Sequence, residues 1–331
     1  MSNILVSGAT GFLGQHVVKR LVNNGFHVTA IGRNKALAAT FPKEVQFIPL
    51  SLEDRTGIFK AMENQDYVIH CGALSSVWGK YEDFYQSNVV GTQNMVDAAL
   101  SAKVKRFVHV STPSIYFNLQ DRTKVDVKEN SSLPNPAINF YAKTKRIAEE
   151  IVDEAFEKGL PTITIRPRAL FGPGDNAIIP RLIKANKQSG VPYIDGAKVL
   201  TDVTYVENVV DALCLCLQSD ERTLGKKYNI TNGEPVYLCD LLEKVFAVLN
   251  EPMKKREMQY EKILRIASLL ERTYRFLRIK KEPIITPYTV TVLGHSQTLN
   301  IDAAKQELGY EPRISVEEGI LKFAEWWKAQ A

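Results

Sequence analysis

Ile4-Leu5-Val6-Ser7-Gly8-Ala9-Thr10-Gly11-Phe12-Leu13-Gly14 is the stretch on which the fold turns. A β-branched run leads into three glycines spaced by three. Val17, Val18, Leu21 and Val22 then recur at helical spacing through Asn24. Strand, tight turn and helix follow one another within about two dozen residues. Glycines at Gly8, Gly11 and Gly14 let the backbone turn sharply, approach a ligand closely and seat the helix tightly on its strand. The unpaired N–H groups of the helix start then face an anion, so the loop predicts a pyrophosphate cradle.

Outward from this unit the same alternation continues. Asn24-Gly25 is a turn, and strands are predicted at His27–Ile31, Val45–Pro49, Tyr67–His70, Phe107–Ser111 and Thr162–Arg166. Helical patterns lie between them, at Arg55–Glu63, Tyr85–Ser101 and Ile138–Lys158. Such alternation predicts an α/β fold, a parallel sheet covered on both faces. The pattern changes after Phe171-Gly172-Pro173-Gly174-Asp175. Thr201–Tyr205 and Lys227–Ile230 read as short strands returning to the main body. Met253–Lys281 reads as one basic amphipathic helix ended by Pro283 and Pro287, and 300–327 as a helical tail with a turn at Gly309-Tyr310-Glu311-Pro312.

The chain has 331 residues, 45% hydrophobic and 24% charged, with a formal net charge of +5. Lys and Arg are interspersed with Asp and Glu, which excludes the concentrated basic face of a nucleic-acid binder and suits an anionic small ligand. Cys71, Cys214, Cys216 and Cys239 are too few for a disulfide framework and read as small core residues in a reducing cytoplasm. No His-Glu or Cys cluster suggests a metal. No charged leader with an apolar run follows Met1, so no signal peptide is expected, and no apolar run reaches the roughly 18 residues of a membrane span.

A second motif carries the chemistry. Tyr141 and Lys145, in Tyr141-Ala142-Lys143-Thr144-Lys145, share a face near the start of a predicted helix. A free phenol titrates near pH 10, and a neighbouring ammonium or helix N-terminus is expected to lower that value. The second strand ends at Ile31, and Gly32 follows where an NAD enzyme carries Asp or Glu for the ribose hydroxyl, with Arg33 and Asn34 next. Arg33 can pair with a 2′-phosphate, so NADP is the expected cofactor, with NAD second.

With Thr10 and Phe12 between the glycines, the chain resembles the extended short-chain dehydrogenase/reductase family, the NAD-dependent epimerase/dehydratase superfamily, over nearly its whole length. The resemblance implies a doubly wound Rossmann sheet in residues 1–172, with 201–231 returning to it. It implies a smaller substrate-binding or lid region in 173–200 and 232–331. Gly8, Thr10, Gly11, Phe12, Leu13 and Gly14 would hold the pyrophosphate, and Arg33 and Asn34 the ribose end. Ser51 and Leu52 would lie by the adenine, although relatives often place Asp where Ser51 stands. Cys71, Gly72, Ala73 and Ser75, after the fourth strand, let the backbone pass the cofactor, and Asn88 buttresses it. Within Ser111-Thr112-Pro113-Ser114-Ile115-Tyr116, Thr112 aligns with the residue that bonds the substrate oxygen. Ser111 then lies on the cofactor side and Ser114 towards the substrate. After Arg166, Pro167 and Arg168 are expected against the nicotinamide amide.

Thr112, Tyr141 and Lys145 are thus the implied catalytic residues, and the implied reaction is oxidoreduction between a ketone and a secondary alcohol. Pro113 and Ser114 stand where dehydratases carry acids. The alternatives are a nucleotide-sugar 4-epimerase and a non-catalytic dinucleotide sensor, the first disfavoured by Gly32 and the second by the intact Tyr-Lys pair. Residues 72–81 and 168–176 resemble the 3β-hydroxysteroid dehydrogenase branch, and within it bacterial reductases of 2-alkyl-3-ketoacids from olefin biosynthesis. A hydrophobic carbonyl substrate is therefore expected, with Trp78 as an apolar wall beside it. Residues 253–290 form a lid or, alternatively, a peripheral membrane face. The family pairs helices near 88–102 and 139–158, so a homodimer is the default. His70 reads as a packed core histidine.

Overall fold

The structure is a computed structural model that describes residues 2–330. Its centre is a seven-stranded sheet in the order Lys227–Ile230, Thr162–Pro167, Arg106–Val110, Tyr67–His70, Asn3–Ser7, His27–Gly32, Gln46–Pro49. Every neighbouring pair is parallel. The strand order reverses on either side of Asn3–Ser7, which opens a crevice at the carboxyl ends of the strands.

Alternation along each strand assigns residues to the two faces. Ile4 and Val6 pack with Val17, Val18, Leu21, Leu213 and Tyr228 on one side. Leu5, between them, packs with Met95, Phe107 and Val152 on the other. The helices that cover the sheet therefore derive from the same apolar spacing that locates them in the sequence. Phe12–Asn23 begins without a side-chain cap, Gly91–Ala102 follows a π-helical turn at Tyr85–Val90, and Phe140–Glu157 is capped by Asn139.

The C-terminal region departs from expectation in several places. Thr201–Tyr205 is two strands that do not join the central sheet. Leu200–Thr201 pairs with Val236–Tyr237 and Ser296–Leu299, whereas Thr204–Tyr205 pairs with Leu170–Phe171. Thr123–Val127 completes the small sheet alongside Ser296–Leu299, so a segment of the first 172 residues belongs structurally to the second region. The tail crosses the other way, because Ile301, Ala304, Leu308 and Tyr310 sit in the central core. Met253–Lys281 is a strand, Lys255–Met258, and a helix, Tyr260–Phe276. Pro287 terminates nothing. It opens the helix Pro287–Gly294, with the Thr286 hydroxyl accepting from Thr289 N–H.

One buried ion pair ties the helix Phe140–Glu157 to the sheet. Arg166 Nε donates to Glu149 Oε1 at 2.8 Å and Nη2 to Oε2 at 2.5 Å, and Nη1 also reaches the Glu129 carbonyl and the Tyr116 hydroxyl. Their side chains are 3% and 4% exposed. Removing one partner of such a pair leaves a buried charge uncompensated. Glu149→Gln is therefore expected to lower stability by about 3–5 kcal/mol in a denaturant titration, and a loss below about 1 kcal/mol would contradict this account.

Candidate active site

A cleft of about 800 Å³ opens at the crevice where the strand order reverses. Its floor is the glycine loop, with Gly8, Thr10, Gly11, Phe12, Leu13 and Gly14 on the wall. Gly8 has φ +64°, and a Cβ there would lie 2.7 Å from Gly72 Cα. A Cβ on Gly14 would lie 2.2 Å from the Gly8 carbonyl oxygen. The loop is a cradle with no room for side chains, and the uncapped start of Phe12–Asn23 leaves its first N–H groups for a ligand.

Arg33, Asn34, Ser51 and Leu52 form one end of the cleft, and Cys71, Gly72, Ala73 and Ser75 pass along its side. A Cβ at Gly32 would meet Thr10 Oγ1 at 2.8 Å, so the loop crowds the position where an acidic side chain would stand. Asn34 Oδ1 accepts from Leu37 N–H and caps the short helix Lys35–Ala38.

Ser111, Thr112, Tyr141 and Pro167 line the other end. Thr112 caps the turn Pro113–Tyr116. Its Oγ1 accepts from Ser114 N–H at 3.2 Å and donates to Ser114 Oγ at 3.0 Å. Ser111 Oγ is buried and has no partner, an open valence that fits a polar group of a cofactor in the cleft.

Asn88 and Lys145 stand behind the wall. Asn88 accepts from Leu74 N–H at 2.7 Å and donates to Thr144 Oγ1 at 3.0 Å, which ties the cofactor-side loop to the Tyr141 helix. His70 is fully buried between Ser7 and Thr92, as a core histidine. Lys145 Nζ donates to the Val110 carbonyl at 2.8 Å and meets His109 Nε2 at 3.1 Å.

The electrostatics differ from expectation. Burial pushes Tyr141 up to about 12, with hydrogen bonding to Thr112 working against it. Burial also pulls Lys145 down to about 8. Both groups move towards their neutral forms because burial penalises their charged forms, and the ammonium is turned towards the strand end.

Three further residues lie elsewhere than the sequence implied. Trp78 is off the cleft wall. Its Nε1 donates to the Ile279 carbonyl at 3.3 Å and its ring meets Tyr274 edge-on at 6.1 Å, so it anchors the 260–276 helix. Ser114 reaches the cleft through Tyr288, whose hydroxyl is 2.8 Å from Ser114 Oγ. Arg168 is not on the wall but buried behind it, with Thr201 and Phe117. Sequence reading missed Tyr288, a wall residue, because Pro287 reads as a helix breaker. The Thr286-Pro287 pair was the signal of a helix start. Ala169, Leu170, Asn176, Ala177 and Ile178 also line the cleft.

Comparison with known proteins places this architecture. The model of the NAD dependent epimerase/dehydratase family matches residues 4–231, and the chain belongs to that family. It is 31% identical over 331 residues to a 2-alkyl-3-oxoalkanoate reductase of Stenotrophomonas maltophilia (strain K279a), covering 96% of this chain and 97% of that protein. It is 29% identical over 326 residues to a decarboxylating sterol-4-alpha-carboxylate 3-dehydrogenase of Mus musculus, covering 95% of this chain and 88% of that one. The fold matches UDP-glucuronic acid 4-epimerase from Bacillus cereus, solved with NAD, with a TM-score of 0.79 at 20% identity over 99% of both chains.

The cradle makes a direct prediction. Gly14→Val forces the Gly8 carbonyl aside and is expected to weaken dinucleotide binding by at least about 2 kcal/mol, roughly 30-fold, in a calorimetric titration. Unchanged affinity would remove the loop from the site.

Proposed function

We propose that this chain interconverts a ketone and a secondary alcohol on an apolar substrate, a 3-keto acid or a steroid-like ketone, with NADP preferred over NAD. The observation that carries this reading is the Tyr141 phenol on the cleft wall with Ser111 and Thr112, in the same cleft as the glycine cradle at the carboxyl ends of the strands. Family membership and the two named relatives support oxidoreductase chemistry.

A bound nicotinamide would supply or accept the hydride. The glycine loop holds its pyrophosphate, and Ser111 Oγ is free to bond the cofactor on the catalytic side. Tyr141, held protonated by burial, donates its proton to the carbonyl oxygen, and Thr112 orients that oxygen. The phenolate so formed is stabilised by the Lys145 ammonium, one helical turn further along. Burial keeps the resting phenol protonated, as reduction requires, and in the oxidative direction Tyr141 must first lose that proton. Tyr141→Phe removes the proton donor. Its kcat is expected to fall by about 10²–10⁴-fold while cofactor titrations still saturate, and turnover equal to wild type would refute the mechanism.

NADP preference rests on the absence of an acid at Gly32 and on Arg33 beside the ribose end of the cleft. Arg33→Ala should weaken NADPH binding relative to NADH by roughly tenfold, about 1.4 kcal/mol, in parallel fluorescence titrations. Wild-type protein that binds NADH more tightly would sink this part of the reading.

Residues 253–290 act as a cover. Arg275 lies over both Trp78, at 4.9 Å, and Phe140, at 4.5 Å, so the Tyr260–Phe276 helix closes over the start of the Tyr141 helix. Ile266, Leu269, Phe276, Leu277 and Ile284 remain exposed on this segment.

A further inference from the structure

Two arginines, separated by Pro167, are buried to the same degree and accounted for differently. Arg166 is 2% exposed and spends its guanidinium on Glu149, Tyr116 and the Glu129 carbonyl. Arg168 is 5% exposed, and its side chain makes one long hydrogen bond, Nη2 to Thr201 Oγ1 at 3.4 Å. Its Nε is buried with no partner, and its Cζ lies 4.8 Å from the Phe117 ring centroid.

A guanidinium cannot shed its charge, so a buried one without an anion is an incomplete site. The nearest internal candidate does not complete it. Asp202 spends Oδ2 on Leu299 N–H at 2.7 Å, Oδ1 has no partner, and no ion pair joins it to Arg168. Gln297, fully buried and paired in register with Thr201, has neither amide atom bonded. Arg168, Asp202 and Gln297, all grouped around Thr201, thus hold open valences among the described residues.

This group lies behind the end of the cleft that Thr112 and Tyr141 line. Pro167 and Ala169, on either side of Arg168, are cleft-wall residues. Tyr288 stands close enough to Arg168 to affect its charge and shares the cleft wall with Thr112 and Tyr141. Its hydroxyl bonds Ser114, which in turn bonds Thr112. A short polar path therefore leads from the carbonyl-binding hydroxyls to the unpartnered guanidinium.

We infer that Arg168 is the anion receptor of the substrate pocket, pairing with a carboxylate that lies one carbon away from the reacting ketone or alcohol carbon. Gln297 adds an amide donor and Phe117 a stacking face. This rests on the ketone–alcohol reading and narrows it to 3-oxo acids over neutral steroid-like ketones. A fork-shaped guanidinium matches a carboxylate in both charge and geometry.

The test uses oxidation of a stable 2-alkyl-3-hydroxy acid and of its methyl ester, with NADP as oxidant. Wild type is expected to prefer the acid by at least about 30-fold in kcat/KM. That preference should collapse in Arg168→Met and return in part in Arg168→Lys. Wild type that oxidises the ester as well as the acid overturns the inference and leaves the ketone–alcohol reading standing. An equal loss on acid and ester in Arg168→Met, matched by a weaker dissociation constant for NADP, also overturns it and moves Arg168 to the cofactor. No turnover of either compound by wild type overturns the ketone–alcohol reading itself, and this inference with it. The wild-type comparison stands whether or not a variant folds.

Discussion

A chain of buried hydrogen bonds holds the two halves of the site in register. The Thr92 hydroxyl donates to the Asn88 carbonyl at 2.6 Å, so its oxygen receives His70 Nε2–H. His70 Nδ1 must then accept the Ser7 hydroxyl at 2.6 Å, and Ser7 Oγ takes the Gly72 N–H. From Asn88 the chain continues to Thr144, on the helix that carries Tyr141. Each hydroxyl and ring nitrogen has one role, which requires a neutral His70. Burial enforces that neutrality by pulling His70 down to about 3. The glycine cradle, the strand-end loop and the catalytic helix are thus parts of one satisfied network rather than three neighbours.

Desolvation governs Tyr141 and Lys145 as well. A Lys beside a Tyr is usually taken to draw the phenol down. Here desolvation is the larger effect on both, raising one and lowering the other. The ammonium is held on the Val110 carbonyl and beside His109 Nε2.

Much of this was legible in the sequence. The β-branched runs located the strands of the central sheet to within about a residue at most ends, because each is a buried parallel strand whose apolar content is its signature. The glycine loop was legible because close backbone approach admits no other residue at Gly8 and Gly14. The small sheet was not. Thr123–Val127 and Ser296–Leu299 are polar, far apart in sequence and held in register by tertiary contacts such as Asp126 N–H to Thr298 Oγ1. Lys255–Met258 is a charged strand that pairs with Val191–Ile194, and its neighbours' helical period concealed it. Tyr288 was hidden by the double meaning of proline, which ends one helix and begins the next. The direction of the Tyr141 shift was out of reach too, since spacing reports proximity and not burial.

Burial by itself does not separate structural from functional polar residues, and Arg166 and Arg168 show why. Both are beyond the reach of solvent, and either would pass as a core arginine by exposure alone. The distinction lies in which valences the fold has already used. Arg166 is fully engaged and welds the Tyr141 helix to the sheet. Arg168 Nε, the Gln297 amide and Ser111 Oγ remain open among the described residues. Folding should not have paired these groups if a ligand must. Open valences of this kind are what a site needs if it is to bring a dinucleotide and an anionic ketone together around a single proton donor.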